Sequence, residues 1–457
     1  MTRCRMLFGL LLAVSTTLFT SLLFAQSWQI NSPEKAAMVW QTAQAGDIVD
    51  IAPGRYPGPW KINQSLTIKA QAGAILDGQA KGHALQISAS NVWVSGLQIV
   101  NWGDDIGQME SGVFVDKTSE SVTLENLSIK GSSFGIWVDG SDKVTIKNNR
   151  IQGNLDVRSP DRGNGIHLFN VGDALIQGNE VWHSRDGIYI DTSNNNQLVG
   201  NYLHDLRYGI HYMYSYHNLL KDNKTERTRT GYALMQSKFL TVLNNQSLND
   251  FNYGMLLNFI TQSQFKGNKI SRVRQGRNPN TNLAVGTNIS GADGKAMFIY
   301  NSVYNEIDHN QLSQSDLAIH LTGGSTDNKI FANAFIGNRN QVKYVSNRAQ
   351  EWSFESQGNY WSDYLGWDID QDGLGDSQYS PNNAIDKLLW QFPSARLLFN
   401  SPGVLLLRWV EGQFPVFKRP GITDSHPMMA IKPEHKDDAL LSSQLAPKVK
   451  QEPTNGS

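Results

Sequence analysis

The chain has 457 residues, a formal net charge of −1 and one cysteine. That charge gives no electrostatic support to a general nucleic-acid role. The cysteine, Cys4, lies in the N-terminal leader, so the rest of the chain has no thiol: disulfide frameworks and thiolate metal centres are excluded, and any metal must rest on His, Met, carboxylate or carbonyl groups.

Arg3 and Arg5 precede an apolar run from Met6 to Phe24, broken by Ser15, Thr16, Thr17, Thr20 and Ser21, and Ala25 stands before the polar pair Gln26-Ser27. This pattern predicts a secretory signal peptide over residues 1–25, cleaved on export to the periplasm. A retained anchor is the alternative, but the segment is short and interrupted for a spanning helix. Ser32-Pro33-Glu34 through Gln44, with Gly46 after it, predicts a capped helix that plugs the N-terminal end of the fold, before a first strand over Asp47 to Ile51.

From Gly112 the chain repeats. Gly112, Gly135, Gly165, Gly187, Gly209, Gly231 and Gly254 are each followed by a tetrad whose first and third residues are apolar, and most intervals are 22 or 23 residues. About fourteen residues after each glycine comes an asparagine: Asn126, Asn149, Asn179, Asn201, Asn223, Asn245 and Asn268, with Asn310 continuing after an insertion over 276–294. A repeat of this size, rich in Val, Ile, Thr, Asn and Gly, predicts an all-β fold, a right-handed parallel β-helix over residues 26–394 with an N-terminal capping helix and a C-terminal helical or extended tail. Equivalent residues in coils ~4.8 Å apart form ladders, and a buried asparagine ladder is scaffold, because each amide donates to one neighbour and accepts from the other.

Period-two alternation sorts the strand after each glycine. Its first and third residues face the core. Its second and fourth face out: Trp137/Asp139, His167/Phe169, Tyr189/Asp191, His211/Met213, Ala233/Met235 and Leu256/Asn258, with Phe298/Tyr300 and His320/Thr322 farther along. A solvated face would carry Lys, Glu, Ser and Thr. This one carries aromatics, His and Met, so it reads either as a partner-binding face, with His167, Phe169, Tyr189 and Tyr214, or as a face covered by an insertion such as 154–164 or 276–294. Met213 and Met235 fall in adjacent coils with His211 beside Met213 and His217 in the next turn. Thioether plus imidazole suits Cu(I), although packing or partner contact would use the same residues.

Toward the C-terminus, Asp368, Asp370, Asp372, Gly373 and Asp376 form an alternating acidic loop. It resembles a calcium loop without the closing bidentate Glu; a plain acidic turn is the alternative. Residues 395–420, with Leu405, Leu406, Arg408, Trp409 and Phe414, are amphipathic and too short to span a bilayer, so they suit docking on a transporter or membrane, or packing over the end of the coil. Residues 421–457 read as a flexible tail, with His426-Pro427-Met428-Met429 as a further soft-metal candidate.

The Gly-Ile coils, the segment Arg207-Tyr208-Gly209-Ile210-His211-Tyr212-Met213-Tyr214-Ser215 and the block Gly358-Asn359-Tyr360-Trp361-Ser362-Asp363-Tyr364 resemble the NosD family. That resemblance implies a periplasmic protein that is not itself an enzyme. It would work with the membrane subunit and ATPase of an ABC transporter, and with a copper chaperone, in assembling the copper–sulfide cluster of nitrous oxide reductase. The rival reading is a β-helix polysaccharide lyase, epimerase or carbohydrate-binding protein. It needs converging acid–base groups. Asp116, Asp139 and Asp191 share a column interrupted by Phe169, and Arg185, Arg207, Arg227 and Arg229 fall in turns, so no such set is visible.

Overall fold

The computed structural model describes residues 25–275, 294–344, 346, 348–381, 401–404, 406, 410 and 421–431. The expected signal segment lies outside these apart from Ala25, as do residues 276–293, Leu405, Arg408, Trp409, Phe414 and residues 432–457. Among the described residues no helix is long and apolar enough to cross a membrane.

The architecture is a right-handed parallel β-solenoid of about 14 turns. Among the described residues its three sheets hold 13, 12 and 13 strands, and within each sheet every strand pairs with its counterpart one coil away. The first sheet begins with Ser27–Ile30, a strand that sequence reasoning missed; it pairs in parallel with Ile48–Ile51. Between them the helix Pro33–Thr42 is capped by Ser32, whose hydroxyl accepts from the Lys35 amide, and buries Ala36 and Val39 over the N-terminal end of the core.

The repeated glycines open the strands of the second sheet. A Cβ at Gly135, Gly187 or Gly209 would lie within 2.6 Å of the carbonyl oxygen of the next coil's glycine. No side chain fits such an approach at these three glycines, although Ala84, Ala296 and Ala318 hold the equivalent place in other coils. The tetrad's first and third residues, such as Ile188/Ile190 and Ile210/Tyr212, are fully buried.

The asparagine ladder runs from Asn149 through Asn179, Asn201, Asn223, Asn245, Asn268 and Asn310 to Asn333 and Asn359. At Asn201, Nδ2 donates to the Ile176 carbonyl and to Oδ1 of Asn223, both at 2.9 Å. Asn126 is not part of it. One extra residue in its coil shifts Leu127 into the ladder position, where its amide donates to Asn149 Oδ1, and Asn126 turns out to solvent with a left-handed backbone. A shorter ladder that sequence reasoning missed, Asn196 to Asn218, runs beside a column of Ser193, Ser215 and Ser237.

The boundary expected at residue 421 is misplaced. Residues 421–431 close the C-terminal end of the solenoid rather than trailing from it: Ile422–Thr423 pairs with Gln350–Glu351, and Met428 is buried. The reason is one carboxylate. Asp424 is buried, and its Oδ2 accepts from the Asn359 amide and from Trp361 Nε1, both at 2.7 Å, and from Asn359 Nδ2 at 3.3 Å. It stands where the next coil's asparagine oxygen would stand and terminates the ladder. Asp424→Ala strips the Asn359 amide and Trp361 Nε1 of this acceptor at a cost of about 2–4 kcal/mol, while Asn359 Nδ2 keeps the Ile330 and Trp352 carbonyls. Hydrogen exchange should show faster opening over residues 350–365 with the middle coils unchanged; unchanged exchange there would refute the capping role.

A second buried carboxylate lies inside the solenoid. Asp250 accepts from the Thr228 amide and hydroxyl and from the hydroxyls of Thr225 and Ser247, with no cation among these partners. Burial outweighs these hydrogen bonds and pushes its pKa up to about 6. A raised carboxylate pKa favours the protonated folded state, so stability is highest below the ordinary carboxylate range and falls as pH rises toward 6, by about 3 kcal/mol in all. Asp250→Asn should therefore raise the unfolding midpoint at pH 7.5 and have little effect at pH 4 (midpoints compared by thermal melts). A midpoint lowered equally at both would contradict the assignment.

Candidate functional site

The outer face of the second sheet carries three side-chain columns. The tetrad's second residues form a ladder of Phe114, Trp137, His167, Tyr189, His211, Ala233, Leu256, Phe298 and His320, one per coil. The fourth residues form Asp139, Phe169, Asp191, Met213, Met235, Asn258 and Tyr300. The third column is the residue before each glycine, including Phe134, Asp186, Tyr208 and Thr230.

The aromatic column is stacked tightly. Trp137 and His167 have ring centroids 3.9 Å apart, His167 and Tyr189 4.6 Å, and Tyr189 and His211 4.2 Å at an interplanar angle of 8°. Hence this column is not the open surface that alternation suggested: His167 and His211 are 6% and 7% exposed, whereas Phe169 and Tyr214 are 41% and 46% exposed. Of the four residues expected on a partner-binding face, Phe169 and Tyr214 are open to solvent, Tyr189 is half-buried and His167 is enclosed. The 154–164 insertion sits beside this face. Arg162 is buried within it and donates to the carbonyls of Val157, Leu155 and His183, and Asn164 reaches His167 Nδ1 at 3.2 Å. Burial pushes the His167 pKa down to about 3, so this ring is neutral at ordinary pH.

His211 sits over a buried ion pair. Asp186 is wholly buried and accepts from Arg207 Nε at 2.7 Å, Arg207 Nη2 at 2.6 Å and His211 Nδ1 at 3.0 Å. Burial alone would push the Asp186 pKa up, but the hydrogen bonds from His211 and Arg207 outweigh it and hold it at about 2. Arg207 lies in a turn, as expected, but its guanidinium is not remote from this face: it reaches Asp186 and covers the Tyr208 ring at 4.3 Å. Sequence reasoning missed Asp186 and Tyr208 because alternation stops at the glycine. The signal available was position itself, a residue immediately before each glycine. The Nε2 atoms of both His167 and His211 are buried without a hydrogen-bond partner among the described residues.

The expected copper residues are partly brought together. Met213 and Met235 are direct partners in register, and His211 lies two residues from Met213 on the same face. His217 does not join them: it lies in the following turn with a left-handed backbone, its ring stacked on Phe239 at 4.6 Å. Beyond it is a depression of 450 Å³ lined by Tyr214, Tyr216, Gln236, Lys238, Phe259 and Thr261. Tyr214 and Phe259 both have left-handed backbones, as do Thr192, Gln236 and Asn301 at the same place in the coils beside them. Phe259 and Tyr304, aromatics that sequence reasoning missed, are exposed here, as is Tyr300, which alternation placed outward.

In the acidic loop, Asp368, Asp370 and Asp372 bring carboxylate oxygens within 4.8 Å of one another. Asp368 also accepts from the Gly373 amide, while Asp376 instead accepts from the Ile369 amide and closes the loop. Of the expected docking residues only Leu406 is described, and it is exposed. His426, the other soft-metal candidate, has Nδ1 on the Ser353 hydroxyl, and its neighbour Met428 is buried in the end cap.

Residues 148–366 match the family described as "Periplasmic copper-binding protein (NosD)", and residues 35–225 match a family described as "Protein of unknown function (DUF1565)". A protein of Pseudomonas aeruginosa named "Probable ABC transporter binding protein NosD" is 50% identical over 381 residues, 83% of this chain and 88% of that protein. The chain belongs to the NosD family. A Stutzerimonas stutzeri protein of the same name is 50% identical over 402 residues, 88% of this chain and 89% of that protein. The surface adhesin PfbA of Streptococcus pneumoniae shares the fold with a TM-score of 0.50 at 11% identity, over 70% of this chain and 93% of that one. The NosD family is described as periplasmic and copper-binding; two of the residues that fit such chemistry, His211 and Met213, lie in the segment on which the resemblance rests.

Proposed function

We propose that this chain is a periplasmic accessory protein of nitrous oxide reductase maturation, exported by a cleaved signal over residues 1–25. In this reading it docks on the membrane subunit of an ABC transporter and handles Cu(I) between a copper chaperone and the reductase. The observation that carries the reading is His211 two residues from Met213 on one face, with Met235 in register and a buried Nε2 that has no partner among the described residues. Imidazole and thioether are the donor types that Cu(I) takes in a chain without thiols. The exposed Phe169 and Tyr214 supply a contact surface for the reductase or chaperone, and residues 395–420 are assigned to the transporter. In register, Phe169 separates Asp139 from Asp191, so this column offers no paired carboxylates for sugar chemistry, which favours the accessory reading over the lyase one.

A strain lacking this chain should yield nitrous oxide reductase depleted of copper and acid-labile sulfide per monomer. Restoring the natural chain should restore both, and restoring the His211→Ala/Met213→Leu variant should not. A fully loaded, active enzyme from the deletion strain would overturn the maturation role.

We infer in addition that the loop Asp368–Asp376 takes a structural calcium ion. The three converging carboxylates support this, as does the positive φ of Gly373, which permits the tight turn. Millimolar calcium should raise the unfolding midpoint by several degrees, and Asp368→Asn/Asp370→Asn should abolish the shift; an equal shift in that variant would refute the assignment.

A further inference from the structure

We propose that Asp186 and Arg207 are a positioning pair that holds the His211 ring with its proton on Nδ1, so that Nε2 is presented as the metal donor. This rests on the copper reading above and adds what makes His211, rather than any other outward ring, a prepared ligand.

An ionised carboxylate only accepts hydrogen bonds. Asp186 is buried with both oxygens in an ion pair with the Arg207 fork, so it acts as an acceptor, and the 3.0 Å contact to His211 Nδ1 requires the proton on that nitrogen. In its neutral form a ring so held has its lone pair on Nε2, the buried atom without a partner among the described residues. An orphaned polar atom in the interior carries a desolvation cost and calls for an explanation. A cation binding there supplies one. Arg207 makes the arrangement one-way. Its Nε and Nη2 take both Asp186 oxygens, which keeps the carboxylate charged inside the protein and leaves Oδ2 aimed at the ring. Tyr189, stacked parallel at 4.2 Å, and Tyr208, edge-on at 5.0 Å, restrict the ring's rotation. A carboxylate behind a ligating histidine fixes its tautomer and orientation and raises its basicity, and removing such a partner costs roughly 10–100-fold in metal affinity.

His167 has the same orphaned Nε2, but an uncharged amide behind it. Asn164 can present either oxygen or nitrogen to Nδ1, so it does not dictate the tautomer. Asp186 singles out one histidine of the column.

The test uses the full mature chain labelled with ¹⁵N-histidine. Long-range ¹H–¹⁵N correlation in the metal-free wild type should show His211 protonated at Nδ1, with an unprotonated Nε2. That measurement needs no substitution, so it stands even if a variant folds poorly. Asp186→Asn should allow the Nε2-protonated tautomer and weaken Cu(I) binding, measured by competition with a chromophoric chelator, about 10–100-fold, with the circular dichroism of the solenoid retained. An Nε2-protonated His211 in the wild type overturns the proposal. So does Cu(I) affinity that is lost in His211→Ala but unchanged in Asp186→Asn, which would leave the copper reading intact. A wild type that holds the Nδ1 proton yet binds no Cu(I) overturns both the proposal and the reading beneath it.

Discussion

Each coil of this protein is held by the coil before and after it, through parallel backbone pairing in register, and the rest of the structure depends on that constraint. Equivalent positions are brought within ~4.8 Å of one another, so a residue acceptable once is tested against itself or its counterpart along the whole stack. Inside the turn this selects asparagine, a short uncharged side chain that can donate and accept at once. Asn201 joins Ile176 below to Asn223 above, and the same bonds recur to Asn359. A ladder cannot end on a donor with nothing to accept it. Asp424, arriving from sixty-odd residues downstream, supplies the last acceptor.

That termination also constrains the segment assigned to the transporter. The chain pairs with the end cap at Tyr379, whose amide donates to the Asp424 carbonyl, and it pairs again at Ile422–Thr423. Tyr379 and Ile422–Thr423, which flank that segment in the sequence, thus both join the C-terminal end of the solenoid. In the cap itself one carboxylate gathers the bonds of Asn359, Trp361 and the His426 amide.

On the outer face the same register builds a column of rings rather than a ladder of amides. Stacking removes most of the column from water without any partner, and the exposed aromatics lie to its side, at Phe169, Tyr214, Phe259 and Tyr300. The polar exception is the Asp186–Arg207–His211 cluster. A buried ion pair contributes less to stability than well-packed apolar residues of the same volume. Its position beneath the one histidine next to two register-matched methionines is therefore better understood through what it does to that histidine.

Much of this was legible in the sequence. The glycine and asparagine spacing determined the solenoid, its coil length and the inward residues, because backbone geometry repeats and core burial reads directly as alternation. The Met213–Met235 neighbourhood came from the same count, and the helix plug from Ser32 and Pro33. Three things did not. Asn126 matched the spacing and yet lies outside the ladder, since one added residue in a turn shifts register without changing the pattern. Enclosure of His167 and His211 depended on ring stacking between coils, which alternation cannot separate from exposure. The contacts that give the molecule its end and its candidate site, Asp424 on Asn359 and Arg207 on Asp186, join residues through side-chain reach rather than through period. Only the folded chain decides those, because a repeat specifies what lies one coil away and is silent about what a long side chain or a returning segment will meet.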